Sequence, residues 1–186
     1  MSNDHLDVPD AIVSTSRAMA VVEVVLIFVL FFVLAGGAPP DVNEAHYLGK
    51  AKHYWNPEWC AGDLLFESAD AHLVFYWTIG WRTYFLPLTA VAWIGRCLTW
   101  WLLAWSWRRL SFAVVPGRLW SLLTAALFAM LLRCTHMAGE WVLGGVEAKG
   151  FAFVFLFLGL ESLVKNDWRK MWVLFGCASA FHVLVG

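Results

Sequence analysis

A series of apolar runs, each near the length a bilayer demands and separated by short charged connections, constrains this chain more than any other feature. A helix needs about 20 mainly apolar residues to cross the hydrocarbon core, within a range of about 17–25. Ala18 to Gly37 meets that need, interrupted by Glu23, and Gly36-Gly37 with Pro39-Pro40 ends it. Phe85 to Trp105 predicts a second span with Arg96 inside it. Leu119 to Leu132 with its flanks predicts a third, and Gly150 to Val164 a fourth. Met171 to Gly186 begins a fifth that stops at "HVLVG" without a cap, charge or aromatic anchor. The expected fold is therefore all-α: a polytopic transmembrane helical bundle of about four complete spans plus a truncated fifth. Residues 1–186 read as one transmembrane domain, the N-terminal portion of a longer protein.

Composition agrees. Charged residues make up 15% of the chain, against roughly a quarter in a soluble domain. No basic tract points to nucleic acid. The N-terminus carries Asp4, Asp7 and Asp10 before a lone Arg17, unlike the basic start of a cleavable signal. The cysteines Cys60, Cys97, Cys134 and Cys177 form no C-x-x-C pair. Cys60 and Cys134 fall on one predicted side, where a disulfide and two isolated thiols are both open.

The connections carry the topology. Arg108, Arg109 and Arg118 lie between spans two and three with no acid, and Lys165, Arg169 and Lys170 outnumber Asp167 between spans four and five. Basic connections stay cytoplasmic, so the chain reads as a multi-pass protein of the cell (inner) membrane with its N-terminus cytoplasmic. The connections 38–72 and 133–149 are then outside. Trp100, Trp101, Trp105 and Trp107 mark the cytoplasmic end of span two, and Trp77 and Trp81 the other surface, as interfacial anchors. Ala71 to Phe85 reads either as an in-plane helix or as a tilted extension of span two.

The first outer connection opens "PPDVNEAHYLGKAKHYW". Asp41 as an N-cap with Glu44 three residues on is a capping box. Ala45, Leu48, Ala51 and Trp55 then recur at helical spacing, with Asn43, His46, Lys50 and His53 opposite, which predicts an amphipathic helix at the interface. The same helix start places two carboxylates, Asp41 and Glu44, one turn apart at a membrane surface. There a carboxylate can act as a general base or hold a divalent cation through oxygen, with His46 and His53 as helpers. The second outer connection adds His136, Glu140, Glu147 and Lys149 as substrate-binding candidates on the same side. An intramembrane charge is by default paired or functional. Arg96 is therefore expected either to pair with Glu23 or to bind a lipid phosphate.

A first span, an acid motif opening an outer loop, and a helix directly after it resemble the GT-C superfamily of multi-pass glycosyltransferases. Glu44, Tyr47 and Ala51 match its E-x-x-Y-x-x-x-A helix, and the resemblance covers roughly residues 24–149. It implies transfer of a sugar from a polyprenyl-phosphate donor at the outer face, with an acid as base or metal ligand. Glu140 and Glu147 are placed to supply the further acids of the second outer loop. The family's paired acid falls at Asn43, so Asp41 would have to take its part. GT-C enzymes also have more spans and usually a soluble C-terminal part. The competing class is a non-enzymatic membrane protein, a transporter fragment or an assembly subunit, in which Arg96 and Glu23 line the path.

Overall fold

The computed structural model describes residues 16–41, 43–135 and 142–186, and among these it is all helical with no strand. Seven α-helices follow one another: α1 (Arg17–Ala35), α2 (Glu44–Trp55), α3 (Leu73–Thr78), α4 (Leu88–Val114), α5 (Trp120–Cys134), α6 (Ala148–Val164) and α7 (Trp168–Phe181). A 3-10 turn, Gly80–Tyr84, joins α3 to α4.

Each boundary has a local cause. Ser16 Oγ accepts the Met19 N–H at 3.3 Å and starts α1. At the other end the Gly36 N–H closes on the Phe32 carbonyl at 2.8 Å, just before Pro39-Pro40. Pro87 precedes α4, where its missing N–H costs nothing. The segment Ala71 to Phe85 is accordingly a short helix and a 3-10 turn, broken from α4 rather than extending it.

Two helices, α1 and α4, are long and apolar enough to cross a membrane, with mean hydropathy of 3.0 and 1.2. Helices α5, α6 and α7 have 15, 17 and 14 residues, or about 21–25 Å at 1.5 Å per residue. Glu23, Val24, Ile27 and Phe31 form the buried stripe of α1. Val22, Val25, Val29 and Val33 are exposed on the same helix.

Packing falls into two clusters. Val24, Ile27 and Phe31 meet Trp100, Leu103, Ala125, Ala129 and Phe157 in one. The other joins Tyr47, Leu48 and Ala51 to Phe75, Tyr76, Val91 and Val146. Trp100 is 1% exposed inside the first cluster, not at an interface. The reason is length: α4 runs nine residues past the predicted end of span two, to Val114, so Trp100 lies mid-helix. Trp107 likewise stacks on Phe128 at 4.4 Å.

Helix α2 forms where predicted, but it does not lie free on a surface. Its buried residues are Glu44, Tyr47, Leu48, Gly49, Lys50 and Ala51, while Ala45 is exposed. Lys50, expected on the polar face, is covered by the following loop. Its Nζ donates to the Ser68 carbonyl at 2.7 Å and to Ser68 Oγ at 2.8 Å. All four cysteines are free thiols, Cys60 and Cys134 among them.

Ion pairs mark two opposite ends of the bundle. At one end Arg108 Nε donates to Glu23 Oε2 at 3.0 Å, and the Leu119 N–H donates to Glu23 Oε1 at 2.8 Å. Arg109 grips Glu161 through Nε and Nη2 at 2.8 and 2.9 Å. At the other end Arg96 meets Glu44. The expected Glu23–Arg96 pair does not form. Twelve residues separate Arg96 from Arg108, about 18 Å along one helix, and Glu23 lies level with Arg108.

Candidate functional site

The site is assembled at the Arg96 end, where the loop 142–147 closes over the start of α2. Glu44 is fully buried and accepts four hydrogen bonds. Its Oε1 takes Arg96 Nε at 2.8 Å and the Val146 N–H at 2.9 Å. Its Oε2 takes Arg96 Nη2 at 2.6 Å and the Asp41 N–H at 3.0 Å. The last is the bond a capping box would run from Glu44 back to Asp41. Helix α2 starts at Glu44, however, with Asn43 at its N-cap and no side-chain cap bond, so Asp41 is not the cap the sequence predicted. Four bonds fill the acceptor capacity of a carboxylate, so Glu44 has no oxygen left for a substrate proton or a metal ion. Arg96, itself fully buried, gives Nη1 to the Gly37 carbonyl at 2.6 Å. The pair therefore ties the end of α1, the start of α2, α4 and the second connection together.

This closure requires glycine at two places. A Cβ on Gly145 would stand 2.9 Å from Glu44 Cβ and 3.2 Å from Asp41 Cβ, and one on Gly95 2.5 Å from Val146 Cγ2. Gly95→Ala should cost about 1–3 kcal/mol through overpacking, read as a lowered midpoint of thermal unfolding in detergent.

Asp41 is the carboxylate that reaches open space. With Gly37, Gly144 and Arg133 it lines a cavity of about 360 Å³ whose remaining wall includes Leu34, Leu132 and Val142. Its Oδ2 lies 3.1 Å from where a Gly144 Cβ would be. Glu147 is 2% exposed, and its Oε2 has no hydrogen-bond partner. Burial pushes its pKa up to about 7, helped by the charges of Asp41 and Glu44 and opposed by Lys149 and a hydrogen bond from Asn43. Asn43, standing where the GT-C pattern has an acid, thus holds a carboxylate from the other connection.

Asp41, Glu44, Arg96, Glu147 and Lys149 are all brought to this end. Burial and the charge of Lys50 hold the pKa of His46 below the usual value. His46 neighbours His72, whose pKa is also lowered, mainly by burial and by His182, on which it stacks at 5.5 Å. His53 bonds the Trp59 carbonyl through Nδ1 at 2.8 Å. His136 and Glu140 lie outside the described residues. Among the described residues no three His, Cys, Asp or Glu side chains gather to hold a metal ion. Glu23 and Arg96 sit in separate ion pairs at opposite ends of the bundle.

Arg133 escaped the sequence reading, which took only His136, Glu140, Glu147 and Lys149 from its connection. Its signal was its position in the last turn of a predicted span on the outer side. The cavity between α1 and α5 that it shares with Asp41 is a tertiary product. Compared with known proteins, the chain matches no family model, no curated protein and no solved structure.

Proposed function

We propose that the chain belongs to a multi-pass membrane enzyme of the GT-C kind, with a cytoplasmic N-terminus. It would transfer a sugar from a polyprenyl-phosphate donor at the outer face. The carrying observation is the cavity that Asp41 and Arg133 line together with an apolar wall from α1 and α5. A lipid-borne phosphate needs a cation for its head and an apolar surface for its chain, and an acceptor hydroxyl needs a base. Alternating helix directions, which put both basic connections at the Glu23 end, support the membrane placement. So do the exposed valines of α1 and the exposed Leu123, Leu127 and Met130 of α5.

In this reading Asp41 takes the acceptor proton as the hydroxyl oxygen attacks the sugar's anomeric carbon. The bond from that carbon to the phosphate oxygen breaks, and the lipid phosphate leaves with the electron pair beside Arg133. Glu44 and Arg96 position the loops and touch no substrate. Glu147, ionising near pH 7, places a second negative charge beside Asp41 as the pH rises, which favours the positive charge that develops at the anomeric carbon.

The test is transfer of labelled sugar from a polyprenyl-phosphate donor by the full-length protein. Arg133→Gln should raise the donor KM roughly ten- to hundredfold, the worth of a charge-assisted hydrogen bond. An unchanged KM removes Arg133 from the donor site.

A further inference from the structure

A second groove lies at the opposite end of the bundle, between α1 and α4. It has a volume of about 210 Å³, with Val21 and Val24 on one side and Trp101, Trp105, Arg108 and Arg109 on the other. We infer that this groove binds the phosphate of an anionic phospholipid, with the acyl chains lying against Val21, Val24 and Trp101. The inference rests on the membrane placement proposed above, and it is independent of the sugar-transfer site.

The guanidinium groups are fixed in advance. Arg108 lies over the Phe112 ring at 4.6 Å and Arg109 over Trp105 at 5.1 Å, and each is held by a buried carboxylate, Glu23 and Glu161. Those carboxylates engage only part of each fork. Arg108 gives Glu23 its Nε, and Arg109 gives Glu161 its Nε and Nη2. The outer terminal nitrogens of both remain for an incoming oxygen, in the planar geometry that suits phosphate.

Charge favours an anion. In these pairs three cations, Arg108, Arg109 and Lys165, meet two carboxylates, Glu23 and Glu161. One positive charge is in surplus. Arg17 adds another, because Arg17, Ala20, Val21 and Val24 recur at three- to four-residue spacing and so share one face of α1. Trp105, one turn nearer the arginines, is 38% exposed, and indole favours the depth of the lipid headgroups. Basic pockets between spans at a cytoplasmic surface suit anionic headgroups, whereas a zwitterionic lipid gains little there.

The experiment titrates the whole chain in neutral detergent with phosphatidylglycerol or phosphatidylcholine and counts bound lipid by native mass spectrometry. Phosphatidylglycerol should bind at least about fivefold more tightly, the worth of roughly one arginine near a membrane surface. Two variants spare every ion pair described above. Val21→Trp fills the groove and should abolish the preference, and Arg17→Gln should reduce it several-fold. Equal binding of the two lipids would overturn the inference, as would a preference that survives Val21→Trp. Displacement of the phosphatidylglycerol by millimolar inorganic phosphate would also overturn it, by making this a soluble-anion site. Resistance of the chain to alkaline extraction from phosphatidylcholine vesicles tests the membrane placement separately.

Discussion

Arg96→Met should destabilise the folded chain by about 3–5 kcal/mol, the usual cost of removing one partner from a buried ion pair. Glu44, at zero exposure, would lose two of its four donors and keep only the Val146 and Asp41 N–H groups. Glu44→Gln should cost a similar amount from the other side, leaving Arg96 charged and buried. The double variant Glu44→Gln/Arg96→Met should recover part of the loss, because no uncompensated ion remains. Thermal melts of the purified variants in detergent measure all three. If either single change melts like wild type, the pair does not organise this end of the bundle.

Asp41→Asn should lower the rate of sugar transfer about 10²–10⁴-fold, the range for loss of a general base, with little change in melting temperature. The bond to Glu44 uses the Asp41 backbone N–H, which asparagine keeps. Glu147 adds a pH signature. Its pKa is raised to about 7 in the folded chain, so wild-type transfer should climb as the pH rises through 7, and Glu147→Gln should flatten that climb. Stability runs the other way. A raised carboxylate pKa means that the folded chain binds the proton more tightly than the unfolded one. This group's contribution is therefore complete below the ordinary value of 4.5 and lost as the pH passes about 7. Glu147→Gln should remove that part of the pH dependence of the melt.

Much of the helix layout was legible in the sequence, because runs such as Ala18 to Gly37 are bounded by glycine and proline. The bond between the Asp41 N–H and Glu44 was legible as well, since both lie within one turn, although Asn43 and not Asp41 stands at the N-cap. Arg96 was misjudged because distance along the chain is a poor guide to depth. Glu44 precedes α4 by more than forty residues, yet the turn after α1 returns it to the level of Arg96. Lys50 was misread for a similar reason. Helical spacing cannot show that a later loop will bring the Ser68 and Ala69 carbonyls over the helix. The role of Asn43 depends on Glu147 arriving from a hundred residues away, which one strand of sequence does not reveal.

The most direct measurement is transfer from a polyprenyl-phosphate sugar donor by equal amounts of folded full-length wild type, Asp41→Asn and Glu44→Gln. The account predicts that folded Asp41→Asn is nearly inactive, while folded Glu44→Gln transfers sugar at close to the wild-type rate. A folded Glu44→Gln without activity beside an active Asp41→Asn would contradict it.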